Sequence, residues 1–147
     1  MAISFQVAVD CADPDAMARF WAEALRYELQ GPPDGFDSWR EYWISHGVPE
    51  DELDGGYDSI VDPEGHGPRV WFQQVPEAKS TKNRLHFDVL VGGGRSVALE
   101  ERRRRVDAES ARLVALGATV LHVMDTPEQG HYAIAMADPE HNEFDIV

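Results

Sequence analysis

The chain has 147 residues, enough for one domain to bury a core, and carries a formal charge of −14 at pH 7. That balance argues against a nucleic-acid partner, whose phosphates are bound by Lys and Arg, and against an anionic membrane surface; neutral or cationic ligands suit it better. Cys11 is the only cysteine, so no intramolecular disulfide forms, and no run approaches the roughly 20 apolar residues that span a bilayer.

The opening stretch MAISFQVAVD has no basic segment and no small-residue cleavage site, so a cytoplasmic protein is expected. Phe5, Val7 and Val9 alternate with Gln6, Ala8 and Asp10, the period of a strand. ADPD then starts a helix, with Asp13 as N-cap and Pro14 at its first position. Met17, Phe20, Trp21, Ala24 and Leu25 form its apolar stripe. Cys11 is expected as a small buried residue at the strand end. A short strand follows over Tyr27 to Gln30, and GPPDG breaks the chain. Asp37 to about His46 reads as a short amphipathic helix carrying Trp39, Tyr42 and Trp43. The polar loop GVPEDELDGG leads to strands near Tyr57 to Val61 and Arg69 to Val75, joined by DPEGHG.

PEAKSTKN connects to a strand over Arg84 to Val91, with Leu85, Phe87 and Val89 on its apolar face. A helix from about Ser96 to Leu116 ends at Gly117, with Val106, Ser110, Leu113 and Val114 on its buried stripe. Strands follow at Ala118 to Val123, Tyr132 to Ala137 and Glu143 to Val147. The last two are joined by DPEHN, which repeats the earlier Asp-Pro-Glu turn. Each half therefore reads strand, helix, strand, strand, turn, strand. The fold expected is α+β: one domain over residues 1–147 of two tandem βαβββ modules, about 4–76 and 83–147, forming a curved mixed β-sheet around a cup with the helices outside.

Three stretches, FQVAVDCADPDAMARFWAEAL, NRLHFDV and DPEHNEFDIV, carry a resemblance to the vicinal oxygen chelate superfamily, the glyoxalase/bleomycin-resistance fold. VWFQQVPEAKSTKNRLHFDV is similar to the glyoxalase-like proteins common in actinobacteria. The resemblance implies a homodimer, a small-molecule ligand, and a metal in the cup held by one residue from each of four strands. The matching positions here are Gln6, Gln73, His86 and Asp145. Their alternation is in phase with the polar face, while Val7, Phe72, Phe87 and Phe144 point to the helices.

A catalytic divalent ion (nickel, manganese, iron or zinc) takes imidazole and carboxylate ligands and keeps an open position. Gln6 and Gln73 supply neutral amides instead, so neither a two-His-one-carboxylate triad nor a Glu base at position 73 is available. Two readings stay open. In one, the cup binds a small organic molecule, such as an antibiotic, without chemistry, using Gln6, Trp71, Gln73, Arg84, His86 and Asp145. In the other, the quartet holds a metal for lyase or isomerase chemistry on a vicinal-oxygen substrate. Asp10 and Asp88 share the parity of His86, and Arg84 is expected to pair with one of them. Trp39, Tyr42 and Trp43 are placed to lid the cup. RRRR, Arg102 to Arg105, reads as a solvated helix face with local ion pairs.

Overall fold

The computed structural model describes residues 3–53 and 55–147. Met1 and Ala2, from the opening stretch, and Asp54, from the polar loop, lie outside the described residues. The chain divides into two compact units, Met1–Pro76 and Glu77–Val147, within the turn-rich connector. Each unit is a βαβββ module with its own four-stranded mixed sheet.

In the first module, β1 (Val7–Cys11) lies parallel to β4 (Val70–Gln74); β3 (Ser59–Val61) and β2 (Glu28–Leu29) extend the sheet antiparallel in the order β1-β4-β3-β2. Helix α1 (Pro14–Leu25) starts where Asp13 Oδ1 accepts the Ala16 N–H at 3.0 Å, with Pro14 needing no donor of its own. It stops at Arg26, whose φ of 58° is left-handed. Its stripe Met17, Phe20 and Trp21 is buried, as are Ile60, Val70 and Phe72 of the sheet it packs on. Each large apolar side chain so buried contributes about 1.5–3 kcal/mol. Cys11 is buried at the end of β1. Helix α2 (Trp39–Ser45) is capped by Ser38 Oγ, which accepts the Glu41 N–H, and it buries no residue fully. A 3-10 turn at Glu50–Glu52 interrupts the loop after it.

In the second module the strand order is β5-β8-β7-β6, comprising β5 (Asp88–Val89), β6 (Thr119–Thr126), β7 (His131–Ala137) and β8 (Glu143–Ile146). Ala133 to Ala137 are all buried, so β7 is covered on both faces at the centre of the sheet. Strand β6 forms its edge, with Val120, Leu121 and Val123 exposed and a register shift between Val120 and His122. Helix α3 runs Leu99–Ala115 and ends at Gly117, whose φ of 108° closes the last turn.

Three local expectations change. Strand β5 is only Asp88–Val89, because its register, Asp88 opposite Asp145, would set Arg84 and Leu85 against the turn before β8, where no ladder exists. Leu85 is accordingly 90% exposed rather than on an apolar face. Helix α3 begins after Ala98, whose methyl offers no capping acceptor; the turn before it carries Gly93 and Gly94 at positive φ and is closed by the Val97 N–H donating to the Gly94 carbonyl. Val114 is 46% exposed, since at 100° per residue it lies about 70° from the centre of the stripe of Val106, Ser110 and Leu113, at the margin of the buried face.

The repeated turns are built alike. Asp62 accepts the N–H groups of Glu64, His66 and Gly67 at 2.7–2.9 Å, and these bonds hold its carboxyl below the ordinary range. Asp138, buried, accepts the N–H groups of Glu140 and Asn142 and the Asn142 side-chain amide. Among the described residues, no helix is long and apolar enough to cross a membrane.

Candidate ligand pocket and metal-binding cluster

The first module contains a cavity of about 650 Å³ where the end of β1 meets the first turn of α1. Two of its walls are indoles from α2, Trp39 and Trp43, stacked with ring centres 6.1 Å apart and planes 21° from parallel. Trp39 is held by its Nε1–H, which donates to the Gln30 carbonyl at 2.7 Å. A third indole, Trp71, comes from β4, and Tyr57 closes the loop side.

A polar chain crosses the sheet beside these rings. Trp71 Nε1–H donates to Asp58 Oδ2 at 3.1 Å, and the Ser59 hydroxyl donates to Asp58 Oδ1 at 2.7 Å. Ser59 Oγ in turn accepts from Arg69 Nη2 at 2.5 Å. Arg69 also donates to Gln30 Oε1 at 2.6 Å and to Gln6 Oε1 at 2.9 Å. Its guanidinium is thus fixed by three uncharged oxygens. At the mouth, Asp15 accepts from Arg19 Nε at 2.8 Å and from the Tyr57 N–H at 2.8 Å, and these bonds lower its pKa. Arg19 lies over the Tyr57 ring, 5.5 Å from its centre.

The second module gathers His86, Asp88 and Asp145, each offering one ligand atom within 4.8 Å of the others. The parallel pairing of β5 with β8 sets Asp88 directly opposite Asp145, and His86 stands two residues before Asp88 on the same face. His86 Nδ1 lies 3.3 Å from Asp88 Oδ1 and 3.6 Å from Asp145 Oδ2. An imidazole with two carboxylates is a donor set that fits a divalent cation, and it carries the negative charge that the amides of Gln6 and Gln73 lack.

The expected residues fall as follows. Trp71 lines the first-module cavity. Gln6 lies just before β1 and holds Arg69, a lining residue. Gln73 is exposed and stands opposite Asp10, four residues along β1 from Gln6. At strand rise that separates the two amides by about 13 Å, so the sheet does not bring them together. His86 and Asp145 do meet. Arg84 makes no ion pair or hydrogen bond among the described residues, and Asp88 faces His86 instead of it. Of the arginine run, Arg103, Arg104 and Arg105 pair with Glu100 or Glu101, whereas Arg102 turns inward to the carbonyls of Val97 and Gly130. Arg69 and Asp58 were not singled out from sequence. The available signal was that Arg69 shares the parity of Trp71 and that Asp58 immediately precedes the paired strand β3.

Comparison with known proteins agrees with this architecture. No curated protein matches the chain significantly. Among solved structures, a hypothetical protein from S. aureus superposes with a TM-score of 0.60 at 16% identity, covering 99% of this chain and 93% of that one. A mutant of the fosfomycin resistance protein FosX from Listeria monocytogenes, complexed with Mn(II) and 1S,2S-dihydroxypropylphosphonic acid, gives 0.59 at 12% identity, covering 99% and 90%. A glyoxalase/bleomycin resistance protein/dioxygenase family enzyme from Burkholderia phytofirmans PsJN gives 0.55 at 19% identity, covering 96% and 94%. At such identities the likeness is one of fold. The family model described as a glyoxalase-like domain matches residues 6–147. Paired βαβββ modules and that match together make this chain a member of the glyoxalase-like domain family, within the vicinal oxygen chelate superfamily.

Proposed function

We propose that the chain binds a small organic molecule in the pocket of its first module and sequesters it without chemistry. The observation that carries this reading is the convergence of Trp39, Trp43 and Trp71 on one cavity of about 650 Å³, a size and lining suited to a flat ligand. Helix α2 buries nothing fully and leaves Trp43 42% exposed on the pocket, a placement that suits covering a ligand. The test is calorimetric titration with bicyclic aromatic probes, repeated on Trp43→Ala and Trp71→Ala. Binding that weakens in both variants, with no product after long incubation, is expected. Affinity untouched by either substitution would sink the reading. Homodimerisation and a cytoplasmic location complete the proposal, and light scattering with and without probe tests the former.

A second reading is favoured by the His86, Asp88 and Asp145 cluster. These three residues would hold a divalent cation, as the FosX neighbour holds Mn(II). An ion held there with an open position would polarise an oxygen-bearing ligand as a Lewis acid, the contribution a metal-dependent lyase or isomerase draws on. The two carboxylates provide its counter-charge, and Nδ1 or Nε2 of His86 provides the nitrogen donor. Elemental mass spectrometry of untagged protein, after incubation with nickel, manganese, iron or zinc, decides it. Near-stoichiometric metal that is lost in His86→Ala supports this reading; no metal under any condition removes it.

A further inference from the structure

We infer that the ligand of the first-module pocket is an organic cation, a planar or alkylated ammonium seated on the indole faces of Trp71 and Trp43 with Asp58 as its counter-charge. This rests on the proposed reading of that pocket as a binding site.

The charge of the lining carries the first part of the argument. Asp13, Asp15, Glu52 and Asp58 stand against one base, Arg69. That base is already tied to Gln6, Gln30 and Ser59, and it reaches Asp58 only through the Ser59 hydroxyl. Asp15 is matched by Arg19. The N-terminus of α1, which would otherwise attract an anion, is occupied by the Asp13 carboxylate.

The rings carry the second part. A cation over an indole gains about 0.5–2 kcal/mol, most where water is excluded. The hydrogen bond from Trp71 Nε1 to the Asp58 carboxylate polarises that indole towards greater electron density on its face. The same chemistry is already realised at the rim, where Arg19 sits on the Tyr57 ring beside Asp15. The Tyr57 face is therefore taken, and the indoles are what remains for a ligand.

The experiment uses the full chain and three probes of one shape in calorimetric titrations at neutral pH: N-methylquinolinium, uncharged quinoline and anionic 1-naphthoate. The cation is expected to bind about tenfold or more tightly than quinoline, and to weaken as salt is raised. Asp58→Asn, which keeps an acceptor for the indole, should erase most of that preference. Trp43→Leu, at a residue 42% exposed and so tolerant of change, should weaken the cation more than quinoline. Equal affinity for cation and quinoline overturns the charge inference while leaving the pocket reading intact. Tightest binding of 1-naphthoate overturns it in favour of Arg69 as the recognition group. Binding of none of the three overturns the pocket reading and this inference with it.

Discussion

Gly65 and His141 occupy the same fourth place in the two Asp-Pro-Glu turns, with φ of 72° and 71°. Glycine accepts that conformation freely, whereas a side chain there crowds the following carbonyl at a cost of about 1–2 kcal/mol. His141→Gly should therefore raise stability by about 0.5–1 kcal/mol, after the entropy glycine adds to the unfolded chain. Urea unfolding measures it, and a lower midpoint in the variant would contradict the assignment of strain to His141.

Gly67 has no room for a side chain. An added Cβ would lie 1.8 Å from the Tyr27 hydroxyl oxygen. Gly67→Ala should cost about 1–3 kcal/mol through overpacking. Tyr27→Phe removes the closest atom, so the double variant should recover part of that loss. Purely additive losses in a double-mutant cycle would mean that the two positions do not touch.

Glu143 ties the connector to β8. Its Oε2 accepts the Asn83 N–H at 2.9 Å and lies 3.1 Å from Lys79 Nζ. The Asn83 bond first, and Lys79 after it, draw the carboxyl down from 4.5 to about 2. A depressed pKa stabilises the fold above the unfolded value and loses that contribution as pH falls through the folded one. Wild type should thus be more stable than Glu143→Gln above pH 4.5, with the gap closing towards pH 2. A gap constant across that window, in denaturant melts at stepped pH, would show that the charge contributes nothing.

Metal retention should depend on Asp88 as strongly as on Asp145, because the two face each other across β5 and β8 with His86 between them. Asp88→Asn and Asp145→Asn, dialysed against a weak chelator, should each lose most of any bound divalent ion. An Asp88→Asn protein with wild-type metal content would return the ligand set to His86 and Asp145 alone.

The duplicated module was legible because its signals are local. Asp13 and Pro14 start α1, Gly117 ends α3, and two Asp-Pro-Glu turns mark the same hairpin. The site was only partly legible. Alternation placed Trp71 and set Asp88 in phase with His86, but parity does not say which residues stand opposite one another. Register does: it sets Gln73 against Asp10 and gives Gln6 to Arg69. The polar chain from Arg69 to Asp58 leaves little periodic trace, since it joins a residue just before β4 to one just before β3 through the buried hydroxyl of Ser59.

Strand β6 has a consequence for handling the protein in solution. It leaves eight residues at a sheet edge with Val120, Leu121 and Val123 bare, a template on which a second molecule can add strand to strand. Electrostatic repulsion from a net charge of −14 keeps such edges apart at neutral pH. Near the isoelectric point, about 4.6, that net repulsion vanishes. Association along β6 is then the expected source of turbidity on acidification, and Val123→Lys should suppress it without altering the melting temperature.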